Sequence, residues 1–356
     1  MLRKLVSLLA VVVLLILAVP VASACEPVPL RVMTRNMDAG SDFWYVLTAD
    51  PNDTTAILVA ITQTYQEMLA SNIALRADGL AAEIQLRRPD LVGLQEVTTL
   101  STGAYGATEL SVVVSSLDSL MAALKARGLH YKAVVVQKNA DISLPALDSN
   151  YQNLIQVGLT DFDVVLVRTD VPAADLRVVN QQAAHFSDAA ILNFTVAGQS
   201  IPFLRGWIAL DVKVRGRIYR FVTTHLETFS PDYQAAQTNE LLLGPFNTEL
   251  PIILAADLNS DALAPSWENG PAYGILTSYG FVDVWQRVQP NDAGVTWPLF
   301  LEDSGLGPAT PQRIDLILTM GRGMTPMQAV RTGLAPRNGL WTSDHAGLVA
   351  AFRLHP

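Results

Sequence analysis

Six small polar clusters could do chemistry in this sequence: Asn36, Glu96, His225, Asp257 with Asn259, Asp315, and Asp344 with His345. Carboxylate and amide oxygens are hard donors suited to a divalent cation, and imidazoles beside carboxylates can pass protons to and from a substrate. The last cluster, Ser343-Asp344-His345, stands between a Gly/Pro-rich loop and a final apolar stretch. An Asp next to a His costs desolvation if buried, unless the imidazole is poised or a metal is anchored there. Taken alone, the tripeptide reads equally well as a polar turn before a strand. Its company decides the matter, because every other cluster also borders an apolar strand. A chain that repeats this placement builds one polar site on a rigid scaffold.

The elements that must position these groups can be read from apolar patterning and turn residues. Leu30 to Met33 reads as a strand delivering Thr34-Arg35-Asn36-Met37 into a loop. Residues 73–88 fit a helical face closed by Pro89, and Asp90 to Glu96 reads as a buried strand ending in an acid. Residues 98–106 are expected to be loop, 112–127 a helix stopped by Gly128, 131–136 a strand, and 138–155 an exposed loop before a strand at Asp163 to Arg168. Arg205 to Val214 and Arg217 to His225 flank Arg215-Gly216 as a hairpin. Ser230-Pro231 opens a helix to about Leu243, as an N-cap followed by proline at the first helical position. Strands follow at Pro251 to Ala255, Phe281 to Trp285, Gln312 to Leu318 and Ala346 to Leu354, with a helix or turn near Ala272 to Ser278. Many short strands with a few helices suit an α/β fold of two packed sheets covered by helices.

The ordered motifs TRNM with Asn36, RPDLVGLQEV with Glu96, THLE with His225, AADLNSD with Asp257 and Asn259, RIDLIL with Asp315, and SDH with Asp344 and His345 resemble the endonuclease/exonuclease/phosphatase superfamily. That group includes deoxyribonuclease-I-like nucleases, sphingomyelinases and inositol polyphosphate phosphatases. The resemblance spans nearly all of the chain beyond the first segment. It implies a four-layer α/β sandwich of two packed mixed sheets flanked by helices, and Mg²⁺-dependent hydrolysis of a phosphoester, with Mn²⁺ as a substitute. Mg²⁺ keeps several waters and takes one or two carboxylates, so Glu96 is expected as chief metal ligand with Asn36 and Asp344 adjoining. His345 would sit by the attacking water or the phosphate, oriented by Asp315. His225 would lie across the phosphate as a donor or as an acid for the leaving oxygen, and Asn259 would steady the phosphoryl group. Either Asp257 or His345 could be the base. Arg205 is a candidate phosphate contact, since a guanidinium suits bidentate phosphate recognition. Arg313, His130, His185 and His355 read as structural or incidental, and Trp297 and Trp341 could flank the mouth of the site.

Met1 to Ala24 has Arg3 and Lys4, an apolar run from Leu5 to Ala18 and the small residues Ala22-Ser23-Ala24, the pattern of an export signal. The run is shorter than the roughly 20 apolar residues expected of a membrane span. The expected division is therefore a signal peptide over 1–24 and one catalytic domain over 25–356. Cys25, the single cysteine, directly follows the cleavage site; it is either incidental or the lipid-modified first residue of an envelope-anchored protein, and no disulfide can form within the chain. Secreted, periplasmic and lipid-anchored locations all fit. With 33 acidic against 24 basic residues the formal charge is −9, which argues against tight sequence-independent binding of duplex nucleic acid. It leaves open a metal-dependent enzyme acting on phosphoesters, because a bound cation supplies local positive charge. No Gly-x-Ser-x-Gly elbow is present to support a serine hydrolase. The expectation is thus an exported monomeric phosphodiesterase, nuclease or phosphatase whose partner is a phosphoester substrate: nucleic acid, phospholipid or a small ester. The competing reading is a non-catalytic surface-binding protein that keeps the fold.

Overall fold

Buried strands in this chain are apolar on both faces because each sheet is covered twice, by a helical layer outside and by the other sheet inside. The computed structural model describes residues 29–196, 199–300 and 310–355, so the expected signal segment and Cys25 lie outside the described residues. In chain order, β1 (Leu30–Asn36) leads to α1 (Trp44–Thr48), α2 (Thr54–Ala70) and α3 (Ile73–Arg87). Then come β2 (Leu91–Ala104), β3 (Ser111–Ser115), α4 (Ser116–Ala126), β4 (Tyr131–Leu147), β5 (Leu154–Arg168) and β6 (Arg177–His185). A small hairpin of β7 (Leu192–Val196) and β8 (Gln199–Phe203) precedes β9 (Gly206–Val214), β10 (Arg217–Thr224), α5 (Pro231–Leu243) and β11 (Ile252–Asp257). The chain closes with α6 (Ala272–Tyr279), β12 (Val282–Asp283), α7 (Val284–Val288), β13 (Asp315–Met320), β14 (Met324–Thr332) and β15 (Gly347–Leu354).

One sheet runs β14-β15-β1-β2-β5-β4, with β3 paired to β2, and the other runs β12-β13-β11-β10-β9-β6. Alternation along β1 and β2 divides their side chains between two cores. Val32 and Leu91 face the second sheet and pack with Leu210, Phe221, Ile253 and Phe352, whereas Met33 and Val92 face outward to Leu80 and Ile84 of α3 and Leu120 of α4. On the far side, Val222, Leu254 and Leu316 pack beneath Leu241 of α5 and Leu276 of α6. The result is the expected four-layer α/β sandwich of two mixed sheets. The sheets approach closely at Gly93, where a Cβ would meet the Ala255 carbonyl at 3.0 Å as well as the Thr223 side chain. Gln95 bridges the layers there, donating to Thr223 Oγ1 at 2.8 Å.

Several expected boundaries shift. Residues 98–106 and 138–155 are largely strand, because β2, β4 and β5 extend as one antiparallel ribbon in which Leu100 pairs with Leu159 and Leu144 with Val157. Lys138, Asp141 and Ser143 are solvent-facing strand positions that mimic loop composition, whereas Thr98 and Asn139 are buried. The helix expected over 112–127 starts only at Ser116, capped by the Ser115 hydroxyl, while Val112 to Ser115 join β3. The strand expected at Phe281 to Trp285 is a two-residue strand leading into α7. The hairpin at Arg215-Gly216 and the Ser230-capped α5 lie where the sequence puts them.

Candidate active site

Strand pairing brings the polar clusters to one end of the sandwich. In the first sheet, parallel β1 and β2 set Asn36 opposite Gln95, and antiparallel β15 begins just after His345. In the second sheet, Asp257 at the end of β11 pairs with Asp315 at the start of antiparallel β13, and His225 bridges to Asp257 in parallel register. The ends of β1, β10 and β11, the starts of β13 and β15 and the middle of β2 therefore meet across the interface. Register between β2 and β5 shifts between Leu94 and Val97, and Glu96 adopts a left-handed backbone with φ of 53°. A bulge of this kind re-aims a side chain, and here it turns the Glu96 carboxylate into the site.

The groups are tied together by hydrogen bonds. Asn36 Nδ2 donates to Glu96 Oε1 at 2.8 Å and to Asp257 Oδ2 at 3.0 Å, while its Oδ1 accepts from the Asp38 amide at 2.8 Å. Glu96 Oε2 accepts from the Ala39 amide at 2.8 Å. Asp257 Oδ1 accepts from the Asn259 amide at 3.0 Å, and the Asn259 side chain donates to the Leu226 carbonyl at 3.0 Å. His345 Nδ1 lies 2.8 Å from Asp315 Oδ2 and 3.8 Å from Asp257 Oδ2. Its Nε2 lies 3.9 Å from Asp344 Oδ2, which accepts from the Trp297 indole at 2.9 Å. His225 Nε2 lies 3.6 Å from Asp257 Oδ2 and 4.0 Å from Glu96 Oε1, and its Nδ1 is 2.6 Å from Arg205 Nη1. The backbone of His345 is held from behind by the fully buried Arg35, which donates to its carbonyl at 2.5 Å and to Thr342 Oγ1 at 2.7 Å, and pairs with Glu83 at 3.2 Å.

The two histidines are in opposite electrostatic settings. Burial and the nearby positive charges of Arg205 and His345 push the pKa of His225 well below its ordinary value. Burial also opposes charging of His345, but the carboxylates of Asp315, Asp344 and Asp257 outweigh it and hold the pKa well above the ordinary imidazole value. Burial, with repulsion from Asp315, raises Asp257 to about 7. Burial raises Asp344 to about 6, with the charges of Asp38 and Glu96 adding to the effect.

These residues line a cavity of about 300 Å³ whose walls include Glu96, Asp161, Arg205, His225, Asp257, Asn259, Asp344 and His345, with Phe43, Phe229, Trp297 and Phe300 as aromatic surfaces. Asn36 and Asp315 do not line this cavity but are hydrogen-bonded to Glu96 and His345, which do. His130, His185, His355 and Trp341 do not line it, and Arg313 is buried against Asp283 at 2.7 Å. Ligand atoms of Asp257, Asp315 and His345 lie within 4.8 Å of one another, a spacing that could hold a metal. Sequence reasoning passed over a buried group beside the wall. Asn139 Nδ2 lies 3.4 Å from Asp161 Oδ2 and 3.0 Å from Asp163 Oδ2. The available signal was two acids at i and i+2, on one face of an otherwise apolar strand.

No family model matches the sequence, and no curated protein matches it. Solved structures do share its fold. The D. rerio TDP2 complexed with single strand DNA product is 17% identical, with a TM-score of 0.53 over 91% of this chain and 99% of that one. An endonuclease/exonuclease/phosphatase from Beutenbergia cavernae DSM 12333 is 19% identical, with a TM-score of 0.55 over 92% of this chain and 72% of that one. The mannosyl-6-phosphatase of Bacteroides thetaiotaomicron is 14% identical, with a TM-score of 0.51 over 91% of this chain and 100% of that one.

Proposed function

We propose that this chain is an exported, divalent-metal-dependent phosphoester hydrolase of the endonuclease/exonuclease/phosphatase superfamily. The observation that carries the reading is the meeting, at one end of both sheets, of the Asp315-paired His345, the buried Asp257 carboxyl, His225 and Glu96. Shared fold with a TDP2 and a mannosyl-6-phosphatase supports it. Export rests on the pattern of Met1 to Ala24, and an envelope anchor on Cys25.

The residues present fit a hard cation. Glu96 and Asp344 offer oxygens only, and the charges of Glu96 and Asp38 repel that of Asp344. Such a set favours Mg²⁺ or Mn²⁺ over softer metals. Glu96 would be the chief ligand, with Asp344 and Asn36 adjoining. The cation would polarise a phosphoryl oxygen and offset the charge that develops in the transition state. Asp257, held between the Asn36 amide and the Asn259 backbone amide, is placed to take a proton from the attacking water. His345, with Nδ1–H committed to Asp315, presents Nε2 to the phosphoryl group. Arg205 is the only Lys or Arg among the described residues lining the cavity, which favours a small or single-stranded ester over a duplex.

Purified protein offered DNA, RNA, sphingomyelin, phosphoinositides and a simple monoester is expected to hydrolyse at least one class with Mg²⁺ or Mn²⁺. EDTA, His345→Ala and Asp257→Ala should each abolish turnover. Undiminished turnover in EDTA or in either variant would falsify the reading.

A further inference from the structure

We infer that Arg205 is a positioning residue that fixes His225 as the Nε2–H tautomer, so that His225 serves as a hydrogen-bond donor and not as a proton shuttle. The inference rests on the phosphoester-hydrolase reading for its functional meaning, but its geometry stands without it. A guanidinium has five donors and no acceptor, and it stays charged in proteins. The 2.6 Å contact between Arg205 Nη1 and His225 Nδ1 therefore has one possible direction: the guanidinium donates and the Nδ1 lone pair accepts. The one ring proton is then on Nε2. That nitrogen faces two acceptors, Asp257 Oδ2 at 3.6 Å and Glu96 Oε1 at 4.0 Å.

The local fold holds this contact in place. Arg205 immediately precedes β9, whose Trp207 pairs with Thr224, the last residue of β10 before His225. Thr224 Oγ1 donates to the Gly206 carbonyl at 2.6 Å, and the Phe186 amide donates to the Arg205 carbonyl at 3.0 Å. At Gly206 a Cβ would fall 2.6 Å from the Ala184 carbonyl, so only glycine lets the arginine strand lie this close to its neighbour. Two buried acids bridged by Asn139, Asp161 and Asp163, lie within the field of the guanidinium, which opposes the upward push of burial on their carboxyls.

The chemical consequence separates the two histidines. His345 has its Nδ1 proton on Asp315 and keeps Nε2 for the reacting groups. His225 has its Nδ1 lone pair on a cation, so giving up its Nε2 proton would leave an imidazolate, an unfavourable product at neutral pH. It is therefore suited to hold a phosphoryl or leaving oxygen through an N–H bond that persists throughout the reaction. Arg205 acts on the phosphate through His225.

The test is the protonation pattern of His225 in ¹⁵N-histidine-labelled protein, read by two-bond ¹H–¹⁵N correlation and assigned with His225→Asn. The expected spectrum near neutral pH shows an unprotonated, hydrogen-bonded Nδ1 and a protonated Nε2. An Nδ1–H tautomer, or a doubly protonated ring, overturns the inference. Arg205→Met is expected to move the Nδ1 resonance and lower kcat by about tenfold or more with KM changed less than about threefold. Arg205→Lys, which keeps a charged donor, should retain the Nε2–H pattern and recover part of kcat. Unmoved ring nitrogens in Arg205→Met, or a raised KM with kcat retained, would instead mark a structural residue or a direct phosphate contact, and would overturn the inference. The spectra need no substrate. A protein that hydrolyses no ester sinks the functional reading alone, and an active enzyme with an Nδ1–H His225 sinks this inference alone.

Discussion

Replacing Asp163 by Asn is expected to gain stability relative to the native protein as pH rises. Asp163 is 1% exposed on β5; its Oδ2 accepts from Asn139 Nδ2 at 3.0 Å, and its Oδ1 has no hydrogen-bond partner. Burial raises its carboxyl from 3.8 to about 7, against the opposing pull of the Asn139 hydrogen bond and the Arg205 charge. The sign follows from proton counting. Between these two values the folded protein holds a proton that the unfolded chain has lost, so stability is present at low pH and falls as pH rises through the folded value. The slope is roughly 1.4 kcal/mol per pH unit, and the whole loss is on the order of 4 kcal/mol once pH passes 7. Asn keeps the shape and the acceptor for Asn139 but carries no charge. Asp161 remains in both proteins, but the Asp163 charge helps to raise its carboxyl, so removing that charge eases the ionisation of Asp161 and adds to the variant's gain in the same direction. Urea denaturation at pH 5 and pH 8 should show the variant gaining roughly 2 to 3 kcal/mol on the native protein between the two conditions. Parallel stability curves, or a variant that loses ground at pH 8, would refute the account of this buried acid.

Three further outcomes follow from the same geometry. Glu96→Gln, which removes a hard anionic ligand, should raise the Mg²⁺ concentration for half-maximal activity by about tenfold or more, and an unchanged metal titration would count against Glu96 as a ligand. Asp315→Asn removes the carboxylate at 2.8 Å from His345 Nδ1, so kcat should fall by about 10² to 10⁴ while the folded fraction is unchanged by circular dichroism; near-native kcat would show that the pair is not used. Arg35→Met leaves the buried Glu83 without its cation and frees the His345 carbonyl. It should cost about 3 to 5 kcal/mol in urea denaturation, and a loss under about 1 kcal/mol would show that the network contributes little.

The parts of this fold that were legible are those where local chemistry and tertiary role agree. Ser230-Pro231 caps α5 because a hydroxyl and a fixed φ do there what they do in any helix. Asp257 and His345 could be marked because a polar group bordering a mostly apolar strand has few roles besides a site. The ribbon of β2, β4 and β5 was not legible. Its far half packs one face against α2 through Leu100, Ala146 and Val157, turns alternate residues such as Ser143 to solvent, and so carries loop composition on strand backbone. Strand β14 was missed for a similar reason, since its exposed outer positions interrupt the apolar pattern that Ala329 and Val330 would otherwise give. The Arg205–His225 contact lay beyond sequence reasoning altogether, because it depends on the register of β9 against β10 and on the space that Gly206 leaves.

Register also explains why one imidazole can differ so far from another only a few ångströms away. Asp257 stands between the two, 3.6 Å from His225 Nε2 and 3.8 Å from His345 Nδ1. What distinguishes them is the second neighbour: pairing of β11 with β13 brings a carboxylate, Asp315, to His345, whereas pairing of β9 with β10 brings a guanidinium, Arg205, to His225. Burial lowers the proton affinity of both imidazoles; the carboxylates of Asp315, Asp344 and Asp257 outweigh it at His345, whereas the charge of Arg205 adds to it at His225. The division of labour at this site therefore depends on the identity of two buried residues, Asp315 outside the cavity lining and Arg205 within it.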